Sequence, residues 1–160
     1  PLWDGGRQES GLRSGTENLP GWVALGRAAS LCRERAQAGA QVAALRDSLE
    51  TLVVKSIPRA RPTVPAGTPR APHIASLLIA DLPAEPLLHA LEAHGIYASA
   101  GSACSTRSHG PSHVLEAIGV REKDAVLRFS LSRLTTPDDV EKAVASLHQA
   151  IDEIAAALAR

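Results

Sequence analysis

Apolar side chains recur at every third or fourth position along the last part of the chain, which is the spacing of one buried helix face. The positions that share this face are Val140, Val144, Leu147, Ile151, Ile154 and Leu158. Ahead of them, Thr135 and Thr136 supply a hydroxyl cap, and Pro137 is followed by two acidic residues at the positive end of the helix dipole. The pattern predicts a helix over residues 137–158.

An earlier stretch of the chain carries similar signals. Asn18 is a good N-cap and Pro20 suits the first turn, so we expect a long helix over residues 19–54. The buried face of its second half is expected to consist of Val42, Leu45, Leu49 and Leu52. Gly39 marks a point where this helix can break or kink, and Cys32 inside it is expected to be structural and inert.

Three short apolar runs between these helices have the length and composition of strands. They lie near residues 75–80, 96–100 and 126–131, and Arg128 stands in the last run. An arginine in a strand either pairs with a carboxylate of the protein or binds the carboxylate of a ligand as a bidentate fork. The sequence leaves both alternatives open for Arg128.

Proline and glycine mark the remaining elements. A short helix opens at Pro83 and ends near Gly95, and a second one opens at Pro111 and ends at Gly119. Residues 57–72 contain five prolines and no apolar periodicity, which predicts a surface connection. Together the elements predict an α+β (α/β) fold of about three strands covered by helices, with the two long helices packed on one side.

The composition of the chain excludes several classes of function. Its 160 residues are enough for one ordinary domain with a real core. Lys and Arg balance Asp and Glu at 17 each, so there is no electrostatic footprint for nucleic acid or for an anionic membrane. No apolar run is long enough to span a bilayer. Two cysteines do not form a disulfide framework, and we expect a reducing, cytoplasmic location.

The sequence contains no methionine and begins with Pro1. Because translation starts with methionine, we expect these residues to belong to a longer polypeptide. Its N-terminal part is then expected to hold some of the chemistry.

Cys104 lies in a segment of small residues, ASAGSACS, at positions 98–105. Small neighbours keep a thiol accessible, and Gly101 lets the backbone bend freely. The following residues are polar and predict a loop, in which Arg107 and His109 would favour the nucleophilic thiolate. The alternative is that Cys104 is a small packing residue at the end of a strand.

Residues 5–18, GGRQESGLRSGTEN, form a second segment with candidate chemistry. Backbone N–H groups and hydroxyls of such Gly-, Ser- and Thr-rich loops suit phosphate oxygens. The alternative is a plain structural turn.

Taken together, these segments resemble the cysteine desulfurase family of pyridoxal-phosphate enzymes, in the NifS/IscS-like branch of the class V aminotransferase group. The motifs follow the order of the family, from GGRQESGLRSGTEN through SAGSACS at 99–105 to LRFSLSRLTT at 127–136. APHIASLLI at 71–79 and PSHVLEAIG at 111–119 resemble the family's pattern as well. The family often has a glycine where this chain has Arg7 and Ser132.

The resemblance implies the small C-terminal domain of a fold-type I transferase that depends on pyridoxal 5'-phosphate. Residues 1–18 would form a Gly-rich hinge to a missing N-terminal large domain, and residues 19–160 the small domain with its catalytic loop at 98–110. The lysine that anchors the cofactor belongs to the large domain in the family. The lysines of this chain are Lys55, Lys123 and Lys142, and none follows a Ser-x-His sequence.

The resemblance also implies roles for single residues. Cys104 falls on the nucleophile that takes sulfur from L-cysteine as a persulfide, with release of L-alanine. Arg128 falls on the residue that binds the substrate carboxylate. Thr16 falls on the residue that contacts the cofactor phosphate of the neighbouring subunit, which implies a homodimer, with Arg13, Ser14 and Gly15 as support. No role is implied for Ser99, His109 or His113.

The implied function is desulfuration of L-cysteine for iron–sulfur clusters or thiolated nucleosides, with an acceptor protein such as an iron–sulfur scaffold. The isolated chain is expected to be inactive. One alternative is a non-catalytic domain that carries sulfur or docks a partner. Another is a selenocysteine lyase, although that group usually has a shorter loop around the cysteine.

Overall fold

A computed structural model describes residues 3–35, 38–100 and 112–158. The chain divides into two compact units, residues 1–37 and residues 38–160. Each unit is described by itself below.

The first unit contains a short 3-10 turn at Gln8–Gly11 and the helix α1 at Leu19–Glu34. The side chain of Asn18 accepts a hydrogen bond of 3.1 Å from the N–H of Gly21, which confirms the predicted N-cap. No residue of α1 is buried. Trp3 and Arg13 form an isolated parallel bridge across the turn between them.

The second unit contains four strands and four helices among its described residues. In chain order these are α2 (Ala38–Ser56), β1 (Ala60–Pro62), β2 (Ile74–Ile79), α3 (Ala84–Ala93), β3 (Ser99–Ala100), α4 (His113–Ala117), β4 (Ala125–Ser130) and α5 (Pro137–Leu158). The strands form one sheet in the order β1-β2-β4-β3, and every neighbouring pair is antiparallel. The mixed architecture of helices and sheet confirms the predicted fold class.

One face of the sheet forms the core together with α2, α3 and α5. The strand residues on this face are Ala75, Leu77, Ile79, Ala125, Leu127 and Phe129. The helices contribute fully covered side chains, among them Val53, Leu87, Leu91 and Leu147. These helices therefore hold the sheet from one side, and side chains of alternate strand residues point to its other face.

Glycine ends α3 and α4 by the same geometry. Gly95 and Gly119 have φ of +74° and +75°, a conformation that costs glycine little. The next residue in each case donates its N–H to a carbonyl five positions back, Ile96 to Leu91 at 2.9 Å and Val120 to Leu115 at 3.0 Å. This is the Schellman arrangement, and it confirms both predicted helix ends.

The start of α5 also agrees with the sequence. Thr136 Oγ1 accepts from the N–H of Asp139 at 3.2 Å, and Asp139 Oδ2 accepts from the N–H of Thr136 at 2.9 Å. This reciprocal cap satisfies backbone donors that the first turn leaves unpaired.

Other expectations were wrong in detail. The chain forms two helices, α1 and α2, where one helix over residues 19–54 is predicted, and the break precedes Gly39. Leu52 is 37% exposed, and its neighbour Val53 takes the core position. The second predicted strand, residues 96–100, shortens to the two residues of β3.

A fourth strand, β1, lies within the proline-rich connection. It pairs with β2 at the edge of the sheet, with Arg61 opposite Leu78. Proline at position 62 is tolerated because an edge strand has one unpaired side.

None of the described helices is long and apolar enough to cross a membrane.

Candidate active site

Arg128 lies on the face of the sheet that is turned away from the core helices. Along β4, core residues alternate with Arg128 and Ser130, and both of these are exposed. Val126 is on the same face as Arg128 but is only 7% exposed, and its partner Leu78 is 2% exposed. Arg128 therefore stands next to a covered apolar pair.

Two serines stand directly opposite Arg128 on the neighbouring strands. The register pairs Arg128 with Ser76 of β2 and with Ser99 of β3. Opposite residues of an antiparallel pair have Cβ atoms about 4.5–5.5 Å apart. Both serines are half-buried, and the register places one on each side of Arg128 on the same face of the sheet.

Thr63 extends this row of residues towards the edge of the sheet. Its N–H donates to the carbonyl of Ser76 at 2.9 Å, which continues the pairing of β1 with β2. Its hydroxyl donates to Ser76 Oγ at 2.7 Å and lies 3.3 Å from the same carbonyl. We call Thr63, Ser76, Arg128 and Ser99 the arginine row.

The arginine row contains the residues that the sequence reasoning missed. Ser76 carries a signal, because it is a polar residue in the apolar run IASLLI and alternation places it on the face opposite Ala75 and Leu77. Thr63 carries no such signal in the sequence. Its position beside Ser76 depends on strand β1, which lies in a segment without apolar periodicity.

The described contacts bear on the two alternatives for Arg128. None of the ion pairs between described residues involves Arg128. The alternative in which Arg128 pairs with a carboxylate of the protein thus has no support within residues 3–35, 38–100 and 112–158. An exposed guanidinium can bind a planar carboxylate with two N–H groups.

Thr16 stands in a loop of the first unit that hydrogen bonds hold in place. Arg13 donates from Nη1 to the carbonyl of Thr16 at 2.7 Å and to that of Gly15 at 3.2 Å. Ser14 Oγ donates to the carbonyls of Trp3 and Asp4 at 3.2 and 3.0 Å. The side chain of Thr16 is exposed.

The Cys104 loop lies mostly outside the described residues. Of the predicted loop at 98–110, the structure describes Ala98, Ser99 and Ala100, so Cys104 and His109 stay predictions. His113 is described, and it is an exposed residue in the first position of α4.

Cys32 is exposed on α1. It therefore has no packing role within the first unit, contrary to the structural role that we expected. Its exposure makes it the natural comparison for Cys104 in labelling experiments.

Two ionic clusters lie outside the arginine row. Arg121 donates to both carboxylate oxygens of Asp124, at 2.8 and 2.7 Å, and Asp124 Oδ1 accepts from the N–H of Asp81 at 2.9 Å. Chiefly through the hydrogen bond from Arg121, the pKa of Asp124 is lowered to about 2. Asp81 has a φ of +56°, so this cluster fixes an otherwise unfavourable turn after β2.

The second cluster attaches the proline-rich connection to α2. Arg70 donates to both oxygens of Glu50 at 2.6 Å, and Arg46 donates to the carbonyl of Ala71 at 2.9 Å. Asp47 accepts from both arginines.

No group of His, Cys, Asp and Glu that could hold a metal ion occurs within the described part of the chain.

Residues 5–143 match the family described as aminotransferase class V. The chain belongs to the class V aminotransferase family. Among curated class V relatives, it is 37% identical to a cysteine desulfurase of Klebsiella pneumoniae, over 98% of this chain and 40% of that protein. It is 41% identical to a cysteine desulfurase of Gluconacetobacter diazotrophicus, over 89% of this chain and 36% of that protein.

Solved structures also resemble this class V aminotransferase chain in fold. A NifS-like protein from Rickettsia africae superposes on it with a TM-score of 0.74 and 28% identity, over 95% of this chain and 40% of that one. These matches confirm the family resemblance and the partial transferase fold. The chain spans about 40% of the length of the relatives that it matches.

Proposed function

We propose that this chain is the small domain of a cysteine desulfurase that depends on pyridoxal 5'-phosphate. The observation that carries the proposal is Arg128, which is exposed and without an ion pair among described residues, and which lies opposite the strand that leads towards Cys104. The likeness to cysteine desulfurases over almost the whole chain supports it.

Arg128 binds the α-carboxylate of L-cysteine in this proposal. A guanidinium offers two parallel N–H donors to the two oxygens of a carboxylate, and such charge-assisted bonds are stronger than neutral ones. The buried pair of Leu78 and Val126 next to it reduces exposure to water on one side, which strengthens the interaction.

Cys104 is the group that receives the sulfur. Its thiolate attacks the sulfur of L-cysteine, the bond between the substrate's Cβ and Sγ breaks, and a proton replaces the sulfur on Cβ. The products are a persulfide on Cys104 and L-alanine, so atoms and electrons balance. Cys104 follows Ala100 by four residues, and an extended chain of that length reaches at most about 14 Å.

The cofactor supplies an electron sink for this bond cleavage when it is bound. Thr16 fits its phosphate, because the hydroxyl is exposed on a loop that Arg13 and Ser14 hold in place. None of Lys55, Lys123 and Lys142 follows the Ser-x-His sequence that precedes the anchoring lysine in the family, so none is assigned this role. A further part of the enzyme must therefore supply the anchor.

The partners follow from the same assignment. Thr16 would contact the cofactor phosphate of a second copy, which makes the enzyme a homodimer with shared sites. The persulfide would pass to an acceptor protein such as an iron–sulfur scaffold. The cytoplasmic location expected from the two cysteines stays a prediction.

The experiment that tests this proposal measures L-alanine released from L-cysteine by the full-length enzyme that contains this chain. Cys104→Ser should abolish release, whereas Cys32→Ser should leave it near the parent rate. Retained release in Cys104→Ser would contradict the proposal. A marked preference for L-selenocysteine over L-cysteine would favour the selenocysteine lyase alternative, and no release from either substrate would favour a non-catalytic domain.

A further inference from the structure

The arginine row places three hydroxyl-bearing residues and one arginine on a single face of the sheet. Thr63, Ser76, Arg128 and Ser99 come from four successive positions across the sheet, and each neighbouring pair is in register or joined by a backbone hydrogen bond. Hydroxyls and guanidinium N–H groups are all donors to anions. The row is therefore a linear array of donors with one positive charge.

The Thr63 and Ser76 hydroxyls share one hydrogen bond, with their oxygens 2.7 Å apart. Thr63 donates to Ser76 Oγ at 2.7 Å, so this oxygen serves as an acceptor towards the edge of the sheet. A serine hydroxyl has one donor hydrogen and two acceptor lone pairs. With Thr63 as the donor, the hydrogen of Ser76 is directed away from Thr63, and no acceptor for it occurs among the hydrogen bonds of the described residues.

The position of Ser76 gives this unused donor a target. Ser76 is the residue directly opposite Arg128, so the two side chains start from the same face of the sheet at neighbouring positions. A carboxylate that accepts two N–H bonds from a guanidinium keeps further lone pairs for other donors. The Ser76 hydroxyl is half-buried, so water competes less well for it than at an exposed position.

We propose that Ser76 is a positioning residue that donates a hydrogen bond to the substrate carboxylate held by Arg128, and that Thr63 orients it. The inference rests on the proposed function and deepens it, because it names a second determinant of the same carboxylate site. It makes the site selective for a carboxylate over a carboxamide, since a carboxamide offers one oxygen in place of two.

The test uses the full-length, cofactor-loaded enzyme and two readouts. One is the pair KM and kcat for L-cysteine, and the other is the dissociation constant of L-alanine measured by calorimetry, with L-alaninamide as the probe without a carboxylate. Ser76→Ala should raise KM and weaken L-alanine binding by about tenfold, with kcat within about twofold. Binding of L-alaninamide should not change.

Three further variants separate positioning from packing. Ser76→Thr keeps the hydroxyl and should retain L-alanine binding within about twofold. Thr63→Val removes only the orienting donor and should weaken binding by about threefold. Ser130→Ala is the matched control, since Ser130 is on the same face of β4 but opposite Ile74, and it should bind like the parent.

The outcomes distinguish this inference from the proposed function. If Arg128→Ala loses L-alanine binding while Ser76→Ala keeps it, the role of Ser76 is wrong and the function of Arg128 stands. If neither variant changes binding, the carboxylate site itself is wrong. Equal losses of L-alanine binding in Ser76→Ala and Ser130→Ala would show that Ser76 has only a structural role. Weak binding in Ser76→Thr would show the same.

Discussion

Ser99 and Arg128 lie directly opposite each other where β3 pairs with β4. The residue assigned to bind the substrate therefore sits on the strand that also anchors the chain entering the Cys104 loop. The pairing of β3 with β4 thus connects Arg128 to the segment that leads to Cys104, although Arg128 and Cys104 are 24 positions apart in the sequence.

The first prediction concerns Arg128 in the full-length enzyme. Arg128→Ala should raise the apparent KM for L-cysteine about ten- to a hundredfold, because a charge-assisted bidentate contact of roughly 1.5–3 kcal/mol is lost. Arg128→Lys should recover only part of this, since an ammonium group cannot form the fork. Steady-state kinetics of alanine release measures the effect, and full activity of the lysine variant would contradict bidentate binding.

The second prediction concerns the core. Leu147 is fully covered on α5, so Leu147→Asp buries an unpaired carboxylate and should cost several kcal/mol of unfolding free energy. Ala145→Asp on an exposed position of the same helix is the control, and it should cost less than about 1 kcal/mol. Urea unfolding of the chain measures the loss of unfolding free energy in both variants. Similar midpoints for the two variants would mean that the buried face of α5 is misplaced.

The third prediction concerns the ion pair between Arg70 and Glu50. The Glu50 side chain is only 8% exposed, so Arg70→Ala leaves a buried charge without its bidentate partner and should cost about 3 kcal/mol. Replacing both residues by leucine should restore much of the loss, because no charge is then left buried. A double variant as unstable as Arg70→Ala would contradict this account of the pair.

The fourth prediction concerns acid stability. The hydrogen bond from Arg121 lowers the pKa of Asp124 from 3.8 to about 2, so its ionised form is favoured in the folded chain. The resulting stabilisation is present above pH 3.8 and is lost as the pH falls towards 2. Asp124→Asn should therefore lower the free energy of unfolding at pH 6 and lower it much less at the acid end.

The control for acid stability is Asp152→Asn, which removes an exposed carboxylate on α5. This variant should follow the parent at both pH values. A loss in Asp124→Asn that is equally large at both pH values would show that the effect is steric and not ionic.

Local signals predicted the helices better than the sheet. The cap of Asn18, the reciprocal cap of Thr136 and the glycine ends at Gly95 and Gly119 depend on residues close in sequence, so the sequence alone reveals them. Strand β1 could not be found in this way. It contains Arg61 and Pro62, and it exists because its backbone pairs with β2 across the turn.

In the candidate site, too, local patterns reveal some residues and strand pairing determines the others. Arg128 stood out in the sequence as a charge in an apolar run. Its partners Ser76 and Ser99 were assigned no role, because their closeness to Arg128 depends on a strand order that local patterns do not encode. The role of Thr16 follows from the family motif alone, and the structure adds the hydrogen bonds that hold its loop.

A fifth prediction concerns the chain by itself. Mixed with pyridoxal 5'-phosphate and L-cysteine, it should release no more L-alanine than the free cofactor does, because none of its lysines follows the Ser-x-His sequence of the family's anchor. Alanine release above that level, and lost in Cys104→Ser, would contradict this expectation.

The central claim is that Cys104 carries the sulfur, and mass spectrometry of the full-length enzyme after a single turnover with L-cysteine tests it most directly. Cys32 is an internal competitor, because its thiol is exposed. We predict a gain of one sulfur atom on the peptide that contains Cys104 and none on the peptide that contains Cys32. A persulfide on Cys32, or equal labelling of both cysteines, would contradict the account.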